Sequence, residues 1–435
     1  MGLLDFFKKR EPSKDSKIAH TTYDAFFTFL FKQNETTGTI GTHIKDSIDL
    51  KRMMIHVVLA LLLCYLAGAY NIGHQHFLAI GEHTGLLDAL HLKIVYGLMQ
   101  ILPIFIVSIL TGLAIEFYFA AKKGHSVEEG FIVSGALIPL IMPPDIPLWM
   151  LALAVAFAVL LGKEAFGGTG MNVLNIALLT RAFIFFAYPT EISGDGPWVA
   201  GLEELKLAQG STTFVSEYSW YHLMFNGLFD AMGLSTFEPG TQVVDGFSGA
   251  TPLALAYNEG WSNSDITGAI TSGVEARYSS VQMFMGGIPG CIGETCKPII
   301  ILGGLILLIT RVASWRIMFS MAAAAATTAY LLELWGQTNF MQVPWLQHFW
   351  MGGLLFALVF MATDPVTAPA TNRGKWVYGA CIGFFGMIIR VMNPAYAEGW
   401  MLAILLMNVF SPLIDHYVLE ANISKRMKRA KAYGK

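Results

Sequence analysis

The sequence predicts an all-α polytopic membrane protein of about ten transmembrane helices with one long extracytoplasmic segment, and three observations carry that reading. Of 435 residues, 54% are hydrophobic and only 14% charged, against about 25% charged in soluble domains; mean hydropathy is +0.53. The apolar residues fall into separated runs near the roughly 20 residues that cross a bilayer. Lysine and arginine gather in the tails and in alternate short connections, the asymmetry that orients membrane helices. A water-soluble globule is excluded, and no nucleic-acid partner is expected. The four cysteines, Cys64, Cys291, Cys296 and Cys381, form neither a CxxC pair nor a disulfide framework, so no metal centre is expected from this chain.

Taken in order, residues 1–52 are too polar for a cleavable signal peptide and read as a cytoplasmic tail. Leu3 to Lys9 is amphipathic and Tyr23 to Phe31 is aromatic; either suits the inner leaflet, a partner, or packing on the tail's own domain. The first membrane half, residues 53–189, opens with Met53–Tyr70. Lys93–Ala120 is one tilted helix or two shorter pieces. Phe131–Met142 stops at Pro143-Pro144, as a discontinuous or re-entrant segment would. Ile146–Gly162 and Gly170–Tyr188 complete this half. Residues 190–297 are rich in Gly, Ser, Thr and Asp without sustained periodicity, which predicts a compact lid on the membrane domain. The second half, residues 298–418, holds Pro298–Ala313, Ile317–Trp335, Trp345–Ala362, Trp376–Val391 and Met401–Val418, and residues 419–435 are a basic tail.

Positive charge gives the orientation. Both tails are basic, as are the connections with Lys122 and Lys123, Lys163, Arg311 and Arg316, and Arg373 and Lys375, whereas His74–His91 and Gly336–Pro344 are expected outside. Both termini are therefore expected in the cytoplasm, with residues 190–297 exported. A Pro-Leu-Trp start at Pro147, running to Tyr188-Pro189, echoes Pro344-Trp345 running to Asn393-Pro394 and predicts a duplicated core.

Within the exported stretch stands Asp245-Gly246-Phe247-Ser248-Gly249-Ala250-Thr251-Pro252. Small residues precede Thr251 and leave its hydroxyl open to attachment. Gly249 permits a tight turn that presents that hydroxyl, and Asp245 offers a carboxylate to a modifying enzyme or its metal. On the residues alone the same stretch is also an ordinary turn.

The Asp-x-x-Ser-Gly-Ala-Thr pattern resembles the site at which bacterial flavin transferases join FMN, through its phosphate, to a threonine. With the membrane pattern it makes the chain similar to the family that comprises the B subunit of sodium-translocating NADH:quinone oxidoreductases and the D subunit of Rnf complexes. The likeness runs along essentially the whole chain. It includes Asp46 to Arg52, Lys163 to Gly170, Phe185 to Pro189, Ile192 to Asp195, Ala313 to Arg316, Met361 to Val366, Asn393 to Tyr396 and Pro412 to His416. The long amino-terminal tail favours the sodium pump.

The resemblance implies an ion-translocating oxidoreductase subunit with a urea-transporter-like duplicated core, in a bacterial inner membrane. It implies covalent FMN on Thr251, with Asp245, Ser248, Gly249 and Ala250 forming the transferase motif. Electrons would come from a flavin on the C subunit of the same complex and leave through non-covalent riboflavin to ubiquinone or menaquinone. The expected partners are the other subunits of a six-subunit complex (A, C, D, E and F), the flavin transferase and the bilayer. NADH oxidation is expected on another subunit, since no dinucleotide fingerprint occurs here.

Other candidate sites combine both kinds of argument. Asn172 and Asn175 read as two amides on one helical face, suited to a flavin edge or a buried backbone; the resemblance implies riboflavin. Glu116, Asp145, Glu164, Glu294, Asp364 and Asp415 lie in or beside spans, where a charge costs about 2.5–3.5 kcal/mol on insertion scales. Such acids face a cavity, or they pair with a cation such as Arg181 or Arg390. Asp364, in a broken helix before Pro365, offers hard oxygen ligands for sodium, and the resemblance adds Asp24, Glu116 and Asp415 to the sodium path. It also links Gly112 to quinone binding. The alternatives are an Rnf D-type subunit of a ferredoxin-linked complex, or a channel or transporter without redox chemistry.

Overall fold

A computed structural model of the full chain describes residues 12, 20, 23, 27, 41, 50–123, 130–168, 170–202, 244, 247–264, 270–393 and 399–433. Asp24, Asp245 and the amphipathic amino-terminal start lie outside these. Among the described residues the chain is a helical membrane protein, and its only strands are the short pair Asn263–Ser264 and Ile270–Ser272.

The first five apolar segments are α1 (Leu50–Ile80), α2 (Leu90–Lys123), α3 (Phe131–Leu140), α4 (Leu148–Gly162) and α5 (Ile176–Ala187). After a lid helix, α6 (Pro252–Asn258), come α7 (Lys297–Ile309), α8 (Trp315–Trp335), α9 (Leu354–Phe356, continued by a π-helical turn at Ala357–Met361), α10 (Asn372–Met392) and α11 (Trp400–Tyr433). Six are long and apolar enough to cross a membrane; α3, α5 and α7 are shorter. The ten apolar runs thus reappear as ten helical elements.

Of the two forms open to Lys93–Ala120 it takes the first, as part of one continuous helix despite Pro103. Other boundaries differ from expectation. Helix α1 runs past Tyr70 to Ile80, and α11 runs past Val418 to Tyr433. The run Trp345–Ala362 is broken into a turn of helix at Gln347–Trp350, a bend at Gly352 (φ +61°) and the short α9. The run from Gly170 does not begin as helix. Gly167, Gly168 and Gly170 hold φ of +126°, +107° and +84°, a backbone that side chains resist, so helix starts only at Ile176. Asn172 and Asn175 therefore lie on a loop and a cap, not on one helical face.

The ten elements form two sets of five, each with a short third member that ends before proline: α3 before Pro143-Pro144, and α9 before Asp364-Pro365. In both sets the second helix packs on the third and fourth, and the fourth on the fifth. Between the sets, first meets first (α1 on α7) and fifth meets fifth (α5 on α11). The Pro147 and Pro344 echo does not follow this grouping, because Pro147 opens a fourth element and Pro344 precedes a third. Glycines let the helices approach. A Cβ at Gly97 would sit 1.9 Å from the Ala69 carbonyl, and one at Gly383 would sit 2.4 Å from that of Met321. These contacts close α1 on α2 and α8 on α10 as small residues do in membrane bundles.

The main core lies among the membrane helices. The lid has a smaller one, in which Ala250, Leu253 and Ala256 pack on Val274, Met283, Ile288, Phe340 and Met351. Asp145 accepts from the Gly201 amide at 2.7 Å and fastens the lid's first part to the turn after α3.

Candidate functional site: the Thr251 cavity and the Asp364 cavity

Thr251 is half-buried at the start of α6, and its Oγ1 accepts from the Ala254 amide at 3.2 Å. The three residues before it are fixed individually. The Ser248 hydroxyl accepts from the Ala250 amide (3.2 Å), and the Tyr278 hydroxyl donates to the Ala250 carbonyl (3.0 Å). Gly249 matters through close approach: a Cβ there would lie 2.3 Å from the Asp195 carbonyl. The motif is thus clamped between the lid's first part and Tyr278.

Burial pushes the Tyr278 phenol up to about 12 from its ordinary 10.0, with Asp195 acting in the same direction against Arg277. The hydroxyl therefore still holds its proton where an unfolded tyrosine has lost it. Its stabilising contribution is complete below pH 10 and falls as pH rises from about 10 to 12. Tyr278→Phe is expected to remove that alkaline slope and to cost about 0.5–1.5 kcal/mol at neutral pH, read by thermal unfolding in detergent across the alkaline range.

Thr251 stands on the wall of a cavity of ≈270 Å³. Arg181 from α5 and Glu294 form a buried ion pair there at 3.1 Å. Buried Lys297, at the start of α7, donates to the carbonyls of Glu294 and, at 2.9 Å, of Gly352. Phe185, Trp198 and Tyr257 contribute rings, and Thr295 also lines the cavity. Gly353 makes room for the acid, because a Cβ there would lie 2.5 Å from Glu294 Oε1. Thr295 Oγ1 is buried and has no hydrogen-bond partner among the described residues. The residues around the cavity thus combine buried charge, apolar rings and two threonines, a set that an aromatic group with a polar edge would fit.

A second cavity of ≈80 Å³ lies at the other end of α5, lined by Asn172, Asn175, Lys163, Thr363 and Asp364. Asp364 accepts from Asn175 Nδ2 (3.2 Å), Thr367 Oγ1 (3.1 Å) and the Val366 amide (3.0 Å). Asn175 also caps α5 through the Leu178 amide, and Asn172 donates to the Leu174 carbonyl. A third void of ≈20 Å³ shares Arg181 and Glu294 with the first cavity and has Leu178 and Met361 on its wall as well. One side of α5 thus faces all three spaces in succession: Asn175, then Leu178 and Arg181, then Phe185.

The remaining acids are tied within the chain. Glu116 is buried in an ion pair with Lys163, whose ammonium also lies 5.8 Å from the centre of the Phe131 ring. Glu164 pairs with Lys123 at 3.0 Å. Asp415 accepts from the Ala370 and Thr371 amides (2.7 and 3.1 Å) and from the Thr371 hydroxyl, holding the start of α10 to α11. Gly112 lies on neither cavity wall. It seats the Phe131 ring, which a Cβ would meet at 1.9 Å. Sequence reasoning paired Arg181 with the spanning acids but missed Thr295, which carries no motif; only its missing partner in the folded chain marks it.

The fold and these cavities define a polytopic membrane protein whose short, broken helices and lid enclose buried polar sites. The chain belongs to the NQR2, RnfD, RnfE family, whose sequence profile matches residues 38–424. It is 38% identical to the B subunit of the Na(+)-translocating NADH-quinone reductase of Chromohalobacter salexigens, with 100% of this chain and 98% of that relative covered. The subunits of the same name from Ectopseudomonas mendocina and Haemophilus influenzae are 39% and 37% identical, over 99% of this chain and 100% and 99% of theirs.

Proposed function

We propose that the chain is a membrane subunit of a sodium-translocating NADH–quinone oxidoreductase in a bacterial inner membrane. In this reading it carries FMN on Thr251 through a phosphodiester, relays electrons by way of riboflavin to ubiquinone or menaquinone, and contributes to sodium movement. The observation that carries the reading is the Thr251 hydroxyl on the wall of a polar, ring-lined cavity, in a chain alike over its whole length to subunits so named. The charge pattern supports two cytoplasmic tails and an exported Thr251, within reach of a flavin transferase and of the flavin-bearing C subunit. The two matching sets of five helices support a duplicated, urea-transporter-like core.

When bound, FMN supplies the electron-accepting chemistry. The chain's residues tether it (Thr251), clamp the attachment turn (Ser248, Gly249, Tyr278), set the charge of the wall (Arg181, Glu294, Lys297) and exclude water (Phe185, Trp198, Tyr257). Arg181 lies six positions beyond Asn175, the cap of α5, a rise of about 9 Å, so this helix joins the two sites over a short path.

Riboflavin at Asn172 and Asn175 rests on the resemblance. The ≈80 Å³ beside them is well below the roughly 300 Å³ at which small-molecule sites begin. The chain alone therefore offers one wall for that flavin. For sodium, Asp364 supplies hard oxygens on a cavity wall, whereas Glu116 and Asp415 hold helices together. Because the family profile includes RnfD, a ferredoxin-linked complex is the second reading. The deciding assay is quinone reduction by the purified assembly. NADH-driven, sodium-stimulated turnover is expected; turnover with reduced ferredoxin and NAD, but not with NADH and quinone, would favour the second.

A further inference from the structure

We propose that Thr295 is the positioning residue that seats the polar edge of the Thr251-linked flavin and, with Lys297 and Arg181 beside it, sets that flavin's redox potential. The inference rests on Thr251 being the attachment site and goes beyond it by assigning the ring's seat.

Thr295 is 3% exposed, and leaving a buried hydroxyl without a partner costs about 1–3 kcal/mol. Elsewhere in this chain threonines in apolar surroundings avoid that cost locally. Thr180, Thr310, Thr328 and Thr363 each donate to the carbonyl four residues back, at 2.9, 2.8, 2.8 and 2.6 Å. Thr295 stands in the turn before α7, where no helical carbonyl lies behind it, and no described group takes its place. Thr295 lines the same cavity as Thr251, so a group tethered at Thr251 is held in the space this residue borders.

The chemistry matches on both sides. A hydroxyl donates one hydrogen bond and accepts others, which suits the alternating carbonyls and N–H of a flavin's pyrimidine edge. Lys297 and Arg181 line the same wall, and charge near that edge tunes a flavin's electronics. The negative charge that the ring gains on reduction would meet a donor and buried cations, and such interactions are stronger at a buried wall than in bulk water. Phe185, Trp198 and Tyr257 suit the ring's apolar end. Thr295 thus favours the reduced flavin over the oxidised one.

The test uses the full chain, co-expressed with a flavin transferase, as wild type, Thr295→Val and Thr295→Ser, with Thr251→Ala as the blank for non-covalent flavin. Fluorescence of the denatured band reads attachment, and a redox titration reads the potential. Thr295→Val is expected to fluoresce like wild type and to shift the redox equilibrium about tenfold toward oxidised flavin, a potential roughly 30 mV lower for a two-electron couple. Thr295→Ser is expected to restore the wild-type potential. In the Thr251→Ala background, Thr295→Val should not lower the melting temperature, because there the hydroxyl has nothing to bind. A fluorescent Thr295→Val chain that titrates at the wild-type potential overturns the inference, as does a loss of stability equal in both backgrounds. A dark wild-type band overturns the Thr251 attachment instead, and this inference with it.

Discussion

Thr251→Ala is expected to abolish covalently held flavin altogether: the denatured band, fluorescent in wild type from cells that express a flavin transferase, becomes dark. The effect is complete because no other group in the motif offers an equivalent attachment point. Ser248 is not on the cavity wall that Thr251 lines, and Gly249 and Ala250 carry no hydroxyl. The Thr251 hydroxyl also caps α6, and losing such a cap costs about 0.5–2 kcal/mol, so a modest drop in melting temperature should accompany the loss. Thr251→Ser keeps both a hydroxyl and a cap and is expected to remain fluorescent. A dark wild-type band, or a Thr251→Ala band that still fluoresces, would end the covalent-flavin reading.

The second large effect is expected at Glu116. Its carboxylate and the Lys163 ammonium are both at least 95% buried, and removing one member of such a pair leaves a charge without compensation, typically about 3–5 kcal/mol. Glu116→Ala should therefore unfold at a markedly lower temperature, while Glu116→Ala/Lys163→Met recovers most of the loss. The double variant also separates two roles. If Glu116 only holds α2 to the end of α4, sodium activation of the assembly returns along with stability. If Glu116 handles sodium, stability returns and sodium activation does not. The single variant alone decides nothing about sodium, because lost stability obscures its cause.

Much of the architecture was legible because membrane helices satisfy their own backbone and need only length and apolarity. Pro143-Pro144 and Asp364-Pro365 announced the two broken segments, since proline cannot continue a helix. Residues 170–175 were misread as helix because apolar content says nothing about φ, and Gly167, Gly168 and Gly170 set the backbone there. The Thr251 motif was visible as a local run of small residues. The cavity beside it was not, because Arg181, Glu294, Thr295 and Lys297 come from α5 and from the approach to α7, more than a hundred positions apart.

The sequence by itself determined that the protein is a multi-pass helical membrane protein of the NQR2, RnfD, RnfE family with the Asp245-to-Thr251 motif in its longest polar segment. Composition, apolar run length and a contiguous motif are each properties of neighbouring residues. Only the tertiary structure decided which acids are committed to pairs or caps, that Glu294 and Asp364 line cavities, and that Thr251 shares its cavity with Thr295, whose hydroxyl is unsatisfied among the described residues. Those outcomes depend on which distant groups burial brings together, and a buried charge or hydroxyl is defined by its partner rather than by its place in the chain.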